Sequence, residues 1–255
     1  MSQHGEIDPA ELRRLPLDGP VNFRDLGGYP GHDGRVVRRR HLFRSDALHR
    51  LSADDVERVH DLGITTLIDF RTTHEVESAG LGGIADVDAE HRHLPTFDTT
   101  RPMTDDEEIV ESLIDAATAY EMMLDRGRES YAAALRTVAD SDDPVVFFCA
   151  AGKDRTGVFA ALVLGLLGVD DSDIVHDYAL TGEVIEQIHA LRADSGREQV
   201  ANLHRIGDDL RNAYPASMTA TIDRVHDRWG GWEEYAADIG VDDDTVERLR
   251  ARLLV

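Results

Sequence analysis

The stretch Pro144-Val145-Val146-Phe147-Phe148-Cys149-Ala150-Ala151-Gly152-Lys153-Asp154-Arg155-Thr156-Gly157 decides how the rest of the chain is read. It opens on Val145 to Phe148, an apolar run of β-branched and aromatic side chains. Such a run suits a strand covered on both faces, as in a parallel sheet. Beyond the stretch, Val158 to Leu167 is apolar and ends at Gly168, which reads as a buried helix with glycine at C′. The loop between strand and helix holds the chain's single cysteine, Cys149, and its single lysine, Lys153.

The order of these residues has a chemical logic. A loop wrapped between a strand end and a helix N-terminus turns successive N–H groups inward and forms an anion cradle, aided by the helix dipole. The small residues Ala150, Ala151 and Gly152 let the backbone approach an anion closely. Arg155, at the far end, can clasp two phosphate oxygens in its planar fork. The same positive surroundings favour the thiolate, the nucleophilic form of Cys149. A lone cysteine is more often a structural core residue. Here the complete series of strand, cysteine, small residues, arginine, threonine-glycine and helix reverses that expectation. A nucleotide-binding P-loop is ruled out, because it needs glycine at Phe147 and serine or threonine at Asp154.

The segment Cys149 to Gly157 resembles the signature of cysteine-dependent protein tyrosine phosphatases. More narrowly, it is similar to a bacterial tyrosine/serine phosphatase family whose loop reads His-Cys-x-x-Gly-Lys-Asp-Arg-Thr-Gly; this chain carries Phe148 in place of the histidine. Three further stretches resemble that family: Asn22-Phe23-Arg24-Asp25-Leu26-Gly27-Gly28, Leu42-Phe43-Arg44-Ser45, and Asp69-Phe70-Arg71 followed by Glu75.

The resemblance implies hydrolysis of phosphate monoesters, phosphotyrosine in proteins first, through a phosphocysteine at Cys149. Arg155 and the N–H groups of Ala150, Ala151 and Gly152 would bind the dianion. Lys153 would add charge to the rim and Thr156 would bond the thiolate or hold the helix start. Lysine at that position also occurs in phosphatases that accept phosphoinositides, so phospholipid and phosphoserine substrates stay open, as does a catalytically weak phosphate-binding module. A sulfur-transfer enzyme of the rhodanese type also uses a cysteine in an anion loop, but Arg155-Thr156-Gly157 argues against it. Two aspartates compete as general acid: Asp154 from its place in the signature, and Asp98 from its place in a loop after a strand. No metal or cofactor is implied. Arg24 with Asp25, and Asp69 with Arg71, read either as supports of the loop or as local ion pairs. Phe148 cannot donate a hydrogen bond, and its ring is expected to desolvate the thiolate and lower activity.

The remaining chain fits a single α/β domain, a mainly parallel sheet of four or five strands flanked by helices, with a helical C-terminal part. The expected division is a polar leader over residues 1–20 and one phosphatase domain over 21–255. Ile64 to Phe70 reads as a second buried strand, and His91 to Pro95 as a short further one with His91 and His93 facing solvent. Arg35 to His41 reads as a charged edge strand. Ser52 is an expected N-cap. Asp105 to Leu124 reads as an amphipathic helix, placed where the resembled family carries a lid. Further helices are expected over Ser172–Leu180, Glu183–Arg192, Ser217–Trp229 and Asp242–Leu254.

There are 27 lysines and arginines against 50 aspartates and glutamates, a formal charge of −23. That balance argues against nucleic acid and anionic membrane surfaces as partners. One cysteine excludes an intrachain disulfide and suits a reducing compartment. No segment approaches the length of a membrane span, and the N-terminus has no apolar export signal, so the expected location is the cytoplasm. Composition says nothing about oligomeric state.

Overall fold

A computed structural model describes residues 13–96, 115–194 and 208–255 of the 255. Its centre is a five-stranded sheet of β1 (Arg24–Asp25), β2 (Leu42–Ser45), β3 (Thr66–Asp69), β4 (Glu90–His93) and β5 (Val145–Phe148), in the order β1-β2-β5-β3-β4. β1 runs antiparallel to β2; every other pairing is parallel. The expected apolar strand is therefore the middle of the sheet, and all four of its residues are buried. In register, Ser45 of β2 and Asp69 of β3 flank Phe148, so three strand ends meet at one edge. Ligands of open parallel sheets bind at that carboxyl edge.

Strand alternation sorts the side chains of β5 between two cores. Val146 and Phe148 join Phe43, Leu67, Leu48, Val59 and Ile84 on one face. That face is covered by α1 (Ala53–Asp61) and adjoining 3₁₀ turns; α2 (Thr73–Ala79) follows β3. As expected, Ser52 caps α1, in a reciprocal box with Asp55. Val145, Phe147 and Cys149 face the larger cluster on the other side. It is built from α3 (Ala116–Arg126), α4 (Arg128–Asp140), α5 (Asp154–Leu166), α6 (Asp171–Ala179), α8 (Asp208–Arg211), α9 (Pro215–Trp229), α10 (Trp232–Asp238) and α11 (Asp243–Leu253), while α7 (Ile185–Asp194) packs beside Ala151 in a small satellite cluster.

α5 is apolar all round and buried along nearly its whole length, as its sequence requires. It packs so closely on α10 that a Cβ at Gly165 would lie 2.1 Å from the Trp232 ring. Gly168 ends it with φ +73°, as the C′ position demands. Val158, Leu162, Val163 and Leu164 are fully buried, and each such side chain is worth about 1.5–3 kcal/mol, which fixes the helix whose first turn carries Asp154 and Arg155.

Three expectations need correction. Arg35 to His41 is not a strand: only Val36 and Val37 make isolated bridges, to Pro30 and Leu254, and Arg40 turns the chain with φ +60°. His91 and His93 do not face solvent; the exposed residues of β4 are Glu90 and Arg92. α3 begins at Ala116, capped by Asp115, while positions 105–114 of the expected longer helix lie outside the described residues. The segment from Arg13 is bound into the sheet's edge: Arg14 bridges to Arg24, the Arg13 side chain donates to the Gly27 carbonyl, and the N–H groups of Asp18 and Gly19 donate to Asp55.

Candidate active site

The loop after β5 turns at Gly152, where φ is +64°. A Cβ there would lie 2.6 Å from both the Asp46 nitrogen and the Ser45 oxygen, rigid backbone atoms at the end of β2. Glycine is thus required twice over, for conformation and for space. The Gly152 carbonyl is turned inward, accepting from Arg44 Nη2 at 2.7 Å and from Asn22 Nδ2 at 3.2 Å. With its carbonyl held back, the loop is free to present N–H groups on its other side.

A buried charge cluster holds those donors. Asp177, on α6, accepts from Arg44 Nη1 at 2.5 Å and Arg24 Nε at 3.0 Å. Arg24 also donates to Asn22 Oδ1 at 2.5 Å and, with Asn22, to the Thr181 hydroxyl. Arg24, Arg44 and Asp177 are each at most 1% exposed, so two cations share one anion and leave a net positive charge beneath the loop. Burial alone would raise the Asp177 carboxyl; Arg24 and Arg44 outweigh it and bring it down to about 2. Burial, then Arg24, lowers the Arg44 guanidinium to about 10. Arg24 therefore supports the loop, but its partner is Asp177. Asp25 instead binds the Gly27 and Arg40 N–H groups and shapes the glycine turn.

Arg155 is fixed from the opposite side. Its Nη1 and Nη2 meet the two Glu75 oxygens at 2.5 and 2.9 Å, and Nη1 also donates to the Phe70 carbonyl at 3.1 Å. Burial works against the Arg155 charge, but Glu75 and then the Cys149 sulfur outweigh it and hold the guanidinium well above its ordinary value. Glu75 is itself locked by the capping box of α2, accepting from the Thr72 N–H at 2.7 Å. One residue earlier, Arg71 clasps Asp69 through Nε and Nη2. His91 Nε2 lies 3.1 Å from Asp69, and His93 Nε2 donates to the Arg71 carbonyl at 2.7 Å. Asp69 and Arg71 are thus a buried ion pair that anchors the turn leading to Glu75, and the two histidines serve that pair. Burial raises the Asp69 carboxyl, but His91 and Arg71 bring it below the usual range.

The remaining expected residues are placed unequally. Cys149, Ala150 and Ala151 are buried in the loop. Asp154 opens α5 with its side chain 26% exposed; its Oδ1 accepts from the Tyr120 hydroxyl at 2.6 Å. Lys153 does not stand on a rim. It is 2% exposed, and its ammonium donates to the carbonyls of Leu210 and Asn212 and pairs with Asp154 at 3.0 Å. The Thr156 hydroxyl is buried and makes no hydrogen bond among the described residues. Phe148 points to the opposite face from Cys149, with Arg71 Cζ 5.5 Å from its ring centre. The expectation that its ring desolvates the sulfur is thereby corrected. Asp98 lies outside the described residues. Among those described, no group of three His, Cys, Asp or Glu side chains could hold a metal ion, and no helix is long and apolar enough to cross a membrane.

Sequence reasoning missed Asn22, Arg44, Tyr120, Asp177 and Thr181 as parts of the site. Asn22 and Arg44 stand inside the quoted family-like stretches. Asp177, a charge beside Tyr178 and Ile174 on the apolar side of α6, was the one signal available elsewhere.

A cysteine at the end of a central parallel strand, an arginine in the first turn of the next helix and a glutamate gripping that arginine stand together at the carboxyl edge of the sheet. The chain belongs to the tyrosine phosphatase family, whose model matches residues 15–255, and it is a protein-tyrosine phosphatase. It is 31% identical to a tyrosine-protein phosphatase of Nostoc commune over 216 residues, 82% of this chain and 73% of that one. It is 29% identical to the triple specificity protein phosphatase PtpB of Mycobacterium tuberculosis, over 95% of this chain and 99% of the relative. The crystal structure of P. aeruginosa TpbA overlaps at a TM-score of 0.31 with 18% identity, covering 66% of this chain and 90% of that one.

Proposed function

We propose that this phosphatase hydrolyses phosphotyrosine in proteins through a phosphocysteine at Cys149. The observation that carries the reading is the Arg155 fork, held by both oxygens of Glu75 in the loop that begins at Cys149. An arginine so fixed is pre-oriented for the equatorial oxygens of a transferring phosphoryl group, and the N–H groups of Ala150, Ala151 and Gly152 complete the cradle. In the first step the Cys149 sulfur bonds to phosphorus, the bond to the tyrosine oxygen breaks, and Asp154 gives that oxygen a proton. In the second, water attacks the phosphocysteine, Asp154 takes the water's proton, and inorganic phosphate leaves with the thiolate restored. No cofactor takes part in either step.

Asp154 is preferred over Asp98 because it stands at the loop, partly exposed and held by a buried donor. The burial of Lys153 weighs against the lipid reading, since its ammonium is occupied by Leu210, Asn212 and Asp154. The name of the M. tuberculosis relative claims three specificities for that protein, and phosphoserine and phosphoinositide remain the substrates to compare. Steady-state turnover of a phosphotyrosine peptide, a phosphoserine peptide and phosphoinositide vesicles tests the proposal. Phosphotyrosine should be turned over fastest, Cys149→Ser should abolish all turnover, and Arg155→Ala should lose both binding and rate. Comparable turnover of the vesicles, or full activity of Cys149→Ser, would overturn it.

A further inference from the structure

Two donors grip one oxygen of Asp154. The Tyr120 hydroxyl donates to Oδ1 at 2.6 Å, and Lys153 Nζ lies 3.0 Å from the same atom. Among the described residues no hydrogen bond reaches Oδ2. Tyr120 is wholly buried, between the sheet-covering face of α3 and α5. Its hydroxyl lies 2.7 Å from that of Tyr178, also buried, on α6. The carboxyl is therefore tethered by one oxygen to the interior, while part of its surface stays open to solvent.

We propose that Tyr120, backed by Tyr178, is a positioning residue that turns Asp154 so that Oδ2 carries the proton delivered to the leaving group. This rests on the reading of Asp154 as general acid. A carboxyl's terminal torsion is broad and nearly two-fold, so an untethered Asp154 would divide its time between orientations. Of its two oxygens, the one already accepting from a phenol and an ammonium is the poorer site for a proton, which leaves Oδ2. As the bond from phosphorus to the phenolic oxygen breaks, the Oδ2 proton passes to that oxygen and the carboxyl becomes a carboxylate. The bond from Tyr120 becomes charge-assisted at that moment and strengthens, which favours the transition state over the ground state. Tyr120 keeps its own proton throughout: burial, then the neighbouring Asp154, holds its phenol well above its ordinary value. Tyr178 fills the second side of the Tyr120 oxygen and fixes the direction in which it donates. Since Tyr120 touches Asp154 and is itself buried, it acts through that carboxyl alone.

The test is the dependence on leaving group, measured on the full chain with phenyl phosphate, whose leaving group needs a proton, and para-nitrophenyl phosphate, whose leaving group hardly does. Asp154→Asn should slow the first about 10²–10⁴-fold more than the second, as the loss of a general acid does. Tyr120→Phe, which keeps the packed ring, should produce the same selectivity at about tenfold, and no further selectivity in the Asp154→Asn background. Tyr178→Phe should act in the same direction and more weakly. If Asp154→Asn slows both substrates equally, Asp154 is not the acid, and that reading falls together with this one. If Asp154→Asn is selective but Tyr120→Phe slows both equally or neither, or still selects in the Asn background, the positioning role alone is overturned. Should Tyr120→Phe fail to fold, Tyr178→Phe decides: an unchanged ratio of the two rates overturns the proposal.

Discussion

Replacing Asp177 by Asn tests whether the buried charge cluster holds the phosphate loop. The native carboxylate meets two arginines, Arg44 at 2.5 Å and Arg24 at 3.0 Å, and none of the three is more than 1% exposed. Asn keeps the shape but leaves two guanidinium groups buried with no anion, and its own N–H₂ faces one of them. Breaking a buried pair by removing one partner costs about 3–5 kcal/mol, a large part of a domain's roughly 5–15 kcal/mol. With a urea slope of about 3 kcal/mol/M, the midpoint should fall by about 1 M or more. The fluorescence of Trp229 and Trp232, both packed in the helical layer, reports the transition. The pH dependence adds a second reading. Arg24 and Arg44, working against burial, depress the folded Asp177 carboxyl to about 2, whereas the unfolded group titrates near about 3.9. Its contribution, about 2–3 kcal/mol, is present above the unfolded value and is lost as pH falls toward the folded one. The gap between wild type and Asp177→Asn should therefore narrow on going from pH 7 to about pH 3, where roughly half of that contribution is gone. A loss below about 1 kcal/mol with a gap independent of pH would refute the reasoning.

Gly152→Ala forces a Cβ into a left-handed turn against the Ser45 and Asp46 backbone; it should cost at least about 3 kcal/mol by thermal melt and abolish inhibition by inorganic phosphate. A mutant with wild-type phosphate inhibition would show that the loop does not need this turn. Glu75→Gln leaves the capping box partly intact while loosening the Arg155 fork, and should lower kcat/KM about 10²-fold with a much smaller change in stability. Wild-type kcat/KM would show that Arg155 is oriented without Glu75. Phe148→His puts an imidazole among Phe23, Phe43, Leu67 and Val146. It should cost about 1–3 kcal/mol in a urea titration and leave kcat of the folded protein unchanged, whereas a raised kcat would mean that position 148 does act on the sulfur.

The loop was legible because its chemistry is contiguous. Cysteine, small residues, arginine and flanking apolar runs follow one another along the chain, and each run names its own burial. Gly168 and Ser52 were legible for the same reason, being local solutions to local backbone needs. The charge cluster was not, because Asp177 stands 153 positions from Arg24 and 133 from Arg44, and only the packing of α6 against the sheet's edge joins them. The burial of Lys153 is not legible in the sequence, because its partners are backbone carbonyls of Leu210 and Asn212, which leave no trace in side-chain chemistry. The alternation of His91 and His93 is legible in the sequence, but the side of the sheet they favour is not. It is set by Asp69 on the neighbouring strand. For Phe148, alternation along β5 separates it from Cys149, so neighbours in sequence lie on opposite faces of the sheet.

The most direct test of the central claim is to catch the covalent intermediate. Enzyme mixed with a phosphotyrosine peptide and quenched in acid within the first turnovers should yield, on peptide mapping by mass spectrometry, one phosphoryl group on the peptide containing Cys149, absent from the Cys149→Ser protein. Turnover of substrate with no phosphoryl group trapped on that peptide, alongside undiminished hydrolysis by Cys149→Ser, would contradict the account.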